Sequence, residues 1–129
     1  MALVPTLTIK DSTTFSDEIN FSVTDSLTVG SPAQSLTIKT AEASSGSGVA
    51  LLASSIAGNK YFFLRHTGYQ SDGSTGSTGD IIVSIAGEDC IRIAPNEWAF
   101  FPVKASLSIS VQSNTSHTIN VEHAYWTKG

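Results

Sequence analysis

Three histidines, one cysteine and a few short acidic clusters are the residues of this chain whose types could do chemistry. His117 and His123 are six apart, so an unbroken strand would put them on one face. A metal site there would need further ligands, and Glu122 would point the other way. His123 also shares its face with Val121 and Tyr125, which equally suits a hydrogen-bonded histidine in a core or an interface. Cys90 with a distant histidine would make a thiol site. Yet it falls in the strand-like run Cys90-Ile91-Arg92-Ile93, where a small buried hydrophobe is expected. Serines abound, but no Gly-x-Ser-x-Gly elbow presents one as a nucleophile. Glu88 and Asp89, like Asp17 and Glu18, are adjacent, so a strand would turn them to opposite faces and away from a shared glycosidic bond. Asp72 and Asp80 bracket a Gly/Ser/Thr loop whose oxygens are of the kind that hold calcium. The loop lacks the alternating acids and closing glutamate of an EF-hand, and the lysine of a phosphate-binding loop. It reads as a mobile hairpin connection. No catalytic residue, metal ligand set or cofactor is expected.

The remaining residues with recognition chemistry are aromatic. Trp98, Trp126, Tyr61, Tyr69 and Tyr125 could stack on sugar rings. The same rings serve equally well as core or interface anchors, because large amphipathic side chains dominate both. Binding of nucleic acid is not expected: the net charge is −4 and the seven basic residues are scattered, whereas phosphate recognition needs them clustered. Charged residues make up 14% of the chain, against about 25% in an average domain. Ser, Thr, Gly and Asn take their place, which suits strand faces that touch other protein. The single cysteine excludes an intrachain disulfide and points to assembly in a reducing cytoplasm. The amino terminus, Met-Ala-Leu-Val-Pro, has no signal-peptide pattern, and no run of about 18 apolar residues is present to cross a membrane.

The elements that must position these residues are strands. Tyr61–Arg65, Ile81–Ile85, Cys90–Ala94, Trp98–Val103 and Leu107–Val111 are short apolar runs separated by turn-forming clusters, the pattern of consecutive antiparallel strands. Before them, Leu3–Lys10 alternates Leu7 and Ile9 with threonines, and Pro5 confines it to an edge or an extended arm. Phe15, Ile19, Phe21 and Val23 mark a second strand beginning near Glu18. Leu27 and Val29 continue it, Gly30-Ser31-Pro32 is a turn, and Leu36 and Ile38 mark another strand. Glu42–Gly48 is a loop by composition, and Val49–Ile56 a strand followed by a turn. Ile119 to Tyr125 closes the chain. About eight to ten strands at this spacing predict an all-β fold, an antiparallel β-sandwich of jelly-roll type. Residues 1–14 would form an arm or edge strand and 15–129 a single domain, since one core is usual at roughly 100–150 residues. Tyr61–Leu64 and Trp98–Val103 are apolar on both faces, more than one small sandwich core requires. The surplus predicts an outer face covered by other protein.

Four stretches carry a resemblance. They are Lys60-Tyr61-Phe62-Phe63-Leu64-Arg65-His66-Thr67-Gly68, Asp80-Ile81-Ile82-Val83-Ser84-Ile85, Ile91-Arg92-Ile93-Ala94-Pro95-Asn96-Glu97-Trp98-Ala99-Phe100-Phe101-Pro102, and Val121-Glu122-His123-Ala124-Tyr125-Trp126. An aromatic strand runs into a Thr-Gly turn, and an Ile-x-Ile-x-Pro-x-Glu hairpin leads into an aromatic-Pro strand. In this, about half of the chain resembles small β-sandwich virion proteins of tailed bacteriophages: capsid decoration (cement) proteins and related tail or neck accessory proteins. The resemblance implies a structural protein without an active site, found in the virion and assembled in the host cytoplasm. It implies binding to a major capsid protein or another virion protein, commonly as a homo-oligomer. Trp98, Phe100, Phe101 and Trp126 are the expected interface anchors. Docking of the 1–14 arm on a neighbour by strand addition is a further expectation. A tail, neck or fibre component and a glycan-binding β-sandwich module are the alternatives.

Overall fold

The computed structural model describes residues 2–10, 20–30, 35–41 (as backbone) and 46–129. Expectations for Phe15, Asp17, Glu18 and Ile19, for Ser31-Pro32 and for residues 42–45 fall outside the described residues. Twelve strands are present among those described: β1 (Ala2–Leu3), β2 (Thr6–Lys10), β3 (Asn20–Thr24), β4 (Leu27–Thr28), β5 (Ser35–Ala41), β6 (Val49–Leu52), β7 (Lys60–Gln70), β8 (Ile81–Ile85), β9 (Glu88–Ile93), β10 (Trp98–Val103), β11 (Ile109–Ser113) and β12 (Ile119–Thr127).

Eight of these strands build two four-stranded sheets, in the orders β10-β7-β12-β5 and β6-β11-β8-β9, with every neighbouring pair antiparallel. From β5 to β8 and again from β9 to β12 the chain changes sheet at every step, and only the β8–β9 hairpin stays within one. This is the winding of a jelly roll, and the all-β sandwich expected from strand spacing is what forms. One core joins both sheets. Phe62 and Leu64 of β7, Val121 and Ile119 of β12 and Val103 of β10 meet Ile81 and Val83 of β8, Ile109 and Val111 of β11, Leu52 of β6 and Ile93 of β9. Each such side chain contributes about 1.5–3 kcal/mol by leaving water.

Several element boundaries differ from the sequence reading for local reasons. β7 runs past the expected Thr-Gly turn, because Gly68 takes φ 85° inside the strand. The pairing with β12 shifts there, between Ile119 and Val121, so the glycine makes a bulge where a turn was expected. Leu107 packs on the core, but β11 begins only at Ile109, after a turn in which Ser106 has φ 67°. β9 takes in Glu88 and Asp89, because Ala86 (φ 53°) and Gly87 (φ 87°) close the β8–β9 hairpin by themselves. Val49–Leu52 is a strand followed by a turn, as its composition predicts.

The other four strands form a hairpin apart from the sandwich. β1 pairs with β4 and β2 with β3 in one continuous register, the ladder interrupted only around Pro5, which has no amide to donate. Its root is fixed: Val29 bridges Lys128, and the amides of Gly30 and Gly129 donate to the carbonyls of Thr127 and Thr28.

Candidate functional site

Strand parity sorts the aromatic sheet into two faces. On β7, Lys60, Phe62, Leu64 and His66 are buried inward, so Tyr61, Phe63, Arg65 and Thr67 face outward. On β10, Ala99, Phe101 and Val103 pack on the core, so Trp98, Phe100 and Pro102 face outward. The register sets Trp98 opposite Arg65, Phe100 opposite Phe63 and Pro102 opposite Tyr61. It then sets Phe63 opposite Ala124 and Tyr61 opposite Trp126 on β12. Three neighbouring strands thus present Trp98, Phe100, Phe63, Tyr61 and Trp126 on one outer surface, with Ala124 buried among its neighbours on that side.

The expected anchors divide accordingly. Trp98, 53% exposed, shares this surface with half-buried Phe100 and Trp126. Phe101 points the other way and packs on Phe62, ring centroids 5.7 Å apart. Phe100 stacks on Tyr61 at 6.1 Å and 11°, and the Lys128 ammonium lies 4.6 Å from the Tyr61 ring centre. These contacts hold the rings upright and flat. The outer face of the second sheet carries different chemistry: Ser84, Ser110, Gln112 and Arg92 surround Ile82, and Ser84 donates to Asp89 at 2.6 Å. One side of the sandwich is aromatic and the other polar.

Further along the aromatic sheet, Arg65, Thr67, Tyr69, Gly73, Asn120 and Glu122 line a shallow surface hollow of about 250 Å³. Arg65 Nε and Glu122 Oε2 are 3.7 Å apart, Thr67 Oγ1 donates to the Asn120 carbonyl, and Tyr69 is 47% exposed.

The residues singled out for reactive chemistry are dispersed. His66 is fully buried: its Nδ1 accepts from the Gly68 amide and its Nε2 donates to the Gly79 carbonyl, each at 2.9 Å. His117 precedes β12 in a turn, with Nε2 2.9 Å from Ser77 Oγ and Nδ1 3.2 Å from Thr115 Oγ1. His123 lies inside β12, its ring 6.2 Å from that of Phe62, so the two histidines share no strand face. Ser77 and His117 have the spacing of a nucleophile and its base. However, Ser77 Oγ also accepts from the Gly79 amide, and Ser77 is only 7% exposed. The pair acts as a latch, fastening the 71–80 loop to the start of β12.

That loop is firmly bonded, contrary to the mobile connection its composition implied. Gln70 donates to the Thr75 carbonyl, Gly73 to that of Gln70 and Ser77 to that of Gly68. The Asp72 carboxylate accepts from the Thr75 hydroxyl and from the amides of Thr75 and Ser74, which hold its pKa at about 2, below the usual 3.8. Asp80 is occupied by Arg92. The two aspartates therefore face different partners, and among the described residues no three His, Cys, Asp or Glu side chains gather as a metal site.

Cys90 overturns its expectation. It is exposed, with Sγ directed at the Glu88 carbonyl 3.1 Å away. Alternation from Ile93 and Ile91, which pack on the core, sets Cys90 outward with Arg92, and Cys90 is also the extra residue of a bulge where the pairing jumps from Val83–Ile91 to Ser84–Asp89. Sequence reasoning also missed Lys60. This lysine is 1% exposed, and its Nζ donates to the carbonyls of Ile56 (2.7 Å) and Gly58 (2.5 Å), fastening the turn after β6. Its place in the inward series with Phe62 and Leu64 was the available signal.

No family model matches the chain, and no curated protein or solved structure matches it. The candidate site therefore rests on its own geometry: a flat, supported aromatic surface suited to lying against another protein.

Proposed function

We propose that this chain is a structural protein of a bacteriophage particle, a capsid decoration protein that binds the particle through protein–protein contacts and associates with itself. The observation that carries the reading is the outer aromatic surface of Trp98, Phe100, Phe63, Tyr61 and Trp126, set against a polar surface on the opposite sheet. Large aromatic side chains held in place by their neighbours are the usual anchors of protein interfaces. The sequence resemblance supplies the kind of partner, a major capsid protein or another virion protein. A tail, neck or fibre component would use the same surface.

Cryo-electron microscopy of purified particles bearing labelled copies of the chain tests this. Regularly spaced density on the shell supports decoration, and density confined to the tail or neck selects the alternative. Absence of the chain from every particle would sink the reading.

One observation favours a second function. The hollow of Arg65, Thr67, Tyr69, Asn120 and Glu122 combines an exposed ring with groups that hydrogen-bond hydroxyls, a composition suited to a sugar. Glycan-array binding that disappears in Tyr69→Ala supports a glycan-binding module. An array without signal removes it.

A further inference from the structure

Among the described residues, the large apolar side chains left exposed are Val4, Leu7, Ile9, Phe21, Val23, Tyr69 and Trp98. The first five all belong to the amino-terminal hairpin. Register explains the pattern: Leu7 pairs with Val23 and Ile9 with Phe21, putting four apolar side chains on one face. Thr6–Thr24, Thr8–Ser22 and Lys10–Asn20 occupy the other. Such strict alternation builds a ribbon with one greasy and one polar side. Among the described residues nothing covers the greasy side, and all ten residues of β2 and β3 are exposed. A two-stranded hairpin is marginal in water without something packed on its apolar face.

We propose that the apolar face of this ribbon lies on the outer aromatic surface of a second copy of the chain, around Trp98, Phe100 and Phe63. This gives a partner to the self-association in the function proposed above, and it rests on that reading. Two features of the molecule favour a copy of itself as the occupant. First, the ribbon face carries no charge, so it fits an apolar surface, and the aromatic face is the other uncovered apolar surface among the described residues.

The second is area. Four apolar side chains of roughly 80–100 Å² each supply roughly 320–400 Å², at most about half of the 800 Å² per partner typical of a stable interface. One ribbon contact is therefore too small to hold two proteins together. In a reciprocal dimer, each protomer lends a ribbon and receives one across the same interface, so the two contacts together bury roughly 640–800 Å² per partner and approach the required area. The two-fold symmetry of such a dimer makes both contacts identical. Ribbon-to-ribbon pairing in a dimer would engage each protomer once and leave the aromatic face bare.

Two measurements on the full chain test this. By light scattering at micromolar concentration, the wild type has at least twice the 13.6 kDa chain mass. Phe21→Asp and, separately, Phe100→Asp return it to the mass of one chain. Phe21 is exposed in the free chain, so Phe21→Asp keeps the wild-type thermal transition of the sandwich. For the contact itself, Val23→Cys and Phe100→Cys chains, each also carrying Cys90→Ser, are mixed and oxidised. A disulfide-linked heterodimer is expected in place of either homodimer.

A monomeric wild type, an unchanged mass in Phe21→Asp, or crosslinking only between Val23→Cys chains each overturns the proposal. Oligomers that assemble as described but never join a particle leave this contact standing and refute the virion reading instead.

Discussion

Lys60 shows how much a single side chain can do in this fold. Its ammonium is buried and satisfied by two carbonyls of the turn after β6, with no carboxylate paired to it among the described residues. Lys60→Met keeps the aliphatic stem but leaves both carbonyls without their donor. A loss of about 1–3 kcal/mol is expected, read as a lower urea midpoint with an unchanged slope. Asp72 makes a prediction in pH. Its folded pKa of about 2 lies below the ordinary 3.8, so the bonds it accepts favour the ionised, folded loop. They are complete above about pH 4 and are lost as the pH falls through 2. The amide resonances of Ser74 and Thr75 should titrate together across that window. Neither role was legible in the sequence, where Lys60 looked like a strand boundary and Asp72 like part of a mobile hairpin connection. Both depend on carbonyls and amides that only the folded backbone brings into range.

At the level of elements, glycine and its substitutes decide where strands bend. Gly68 combines φ 85° with a neighbour: a Cβ there would meet Asn96 Oδ1 at 2.6 Å. Gly68→Ala should therefore cost about 2–4 kcal/mol by chemical denaturation, from left-handed strain and displacement of Asn96. Ala86 is the reverse case, a non-glycine residue held at φ 53° in a two-residue hairpin. Ala86→Asn places Asn-Gly, the favoured pair for such a turn, and should add roughly 0.5–1 kcal/mol of stability. Strand positions were readable because alternation survives in the sequence. The β7 and β9 bulges were not, because one extra residue reverses parity without changing composition. That is why Asp89, which strict alternation would turn inward, lies beside outward-facing Ser84.

For the whole molecule, the decisive property is the difference between the two outer faces. Phe100→Asp on the aromatic face should weaken co-sedimentation with particles, because single chains lose the multivalency of the assembly, while far-ultraviolet circular dichroism stays unchanged. Ser110→Asp, on the polar outer face, should leave co-sedimentation intact. Equal loss from both would mean that the asymmetry does not direct assembly. The surplus of apolar residues in Tyr61–Leu64 and Trp98–Val103 was visible beforehand, because a strand apolar at every position needs cover on both sides. Which residues would be outermost was not, and Phe101 proved to belong to the core while Phe63 and Tyr61 joined the surface.

Alternation of apolar and polar residues, with turn residues at regular spacing, is enough by itself to determine that this chain forms antiparallel strands around one core. Those are local properties, written in neighbours along the chain. Tertiary structure alone decided the order of strands within each sheet, the Ser77–His117 latch across 40 residues and the separation of an amino-terminal ribbon from the sandwich. Each depends on which distant strand becomes a partner. A period-two pattern specifies that a strand has two faces, and only its neighbours in space determine what each face meets.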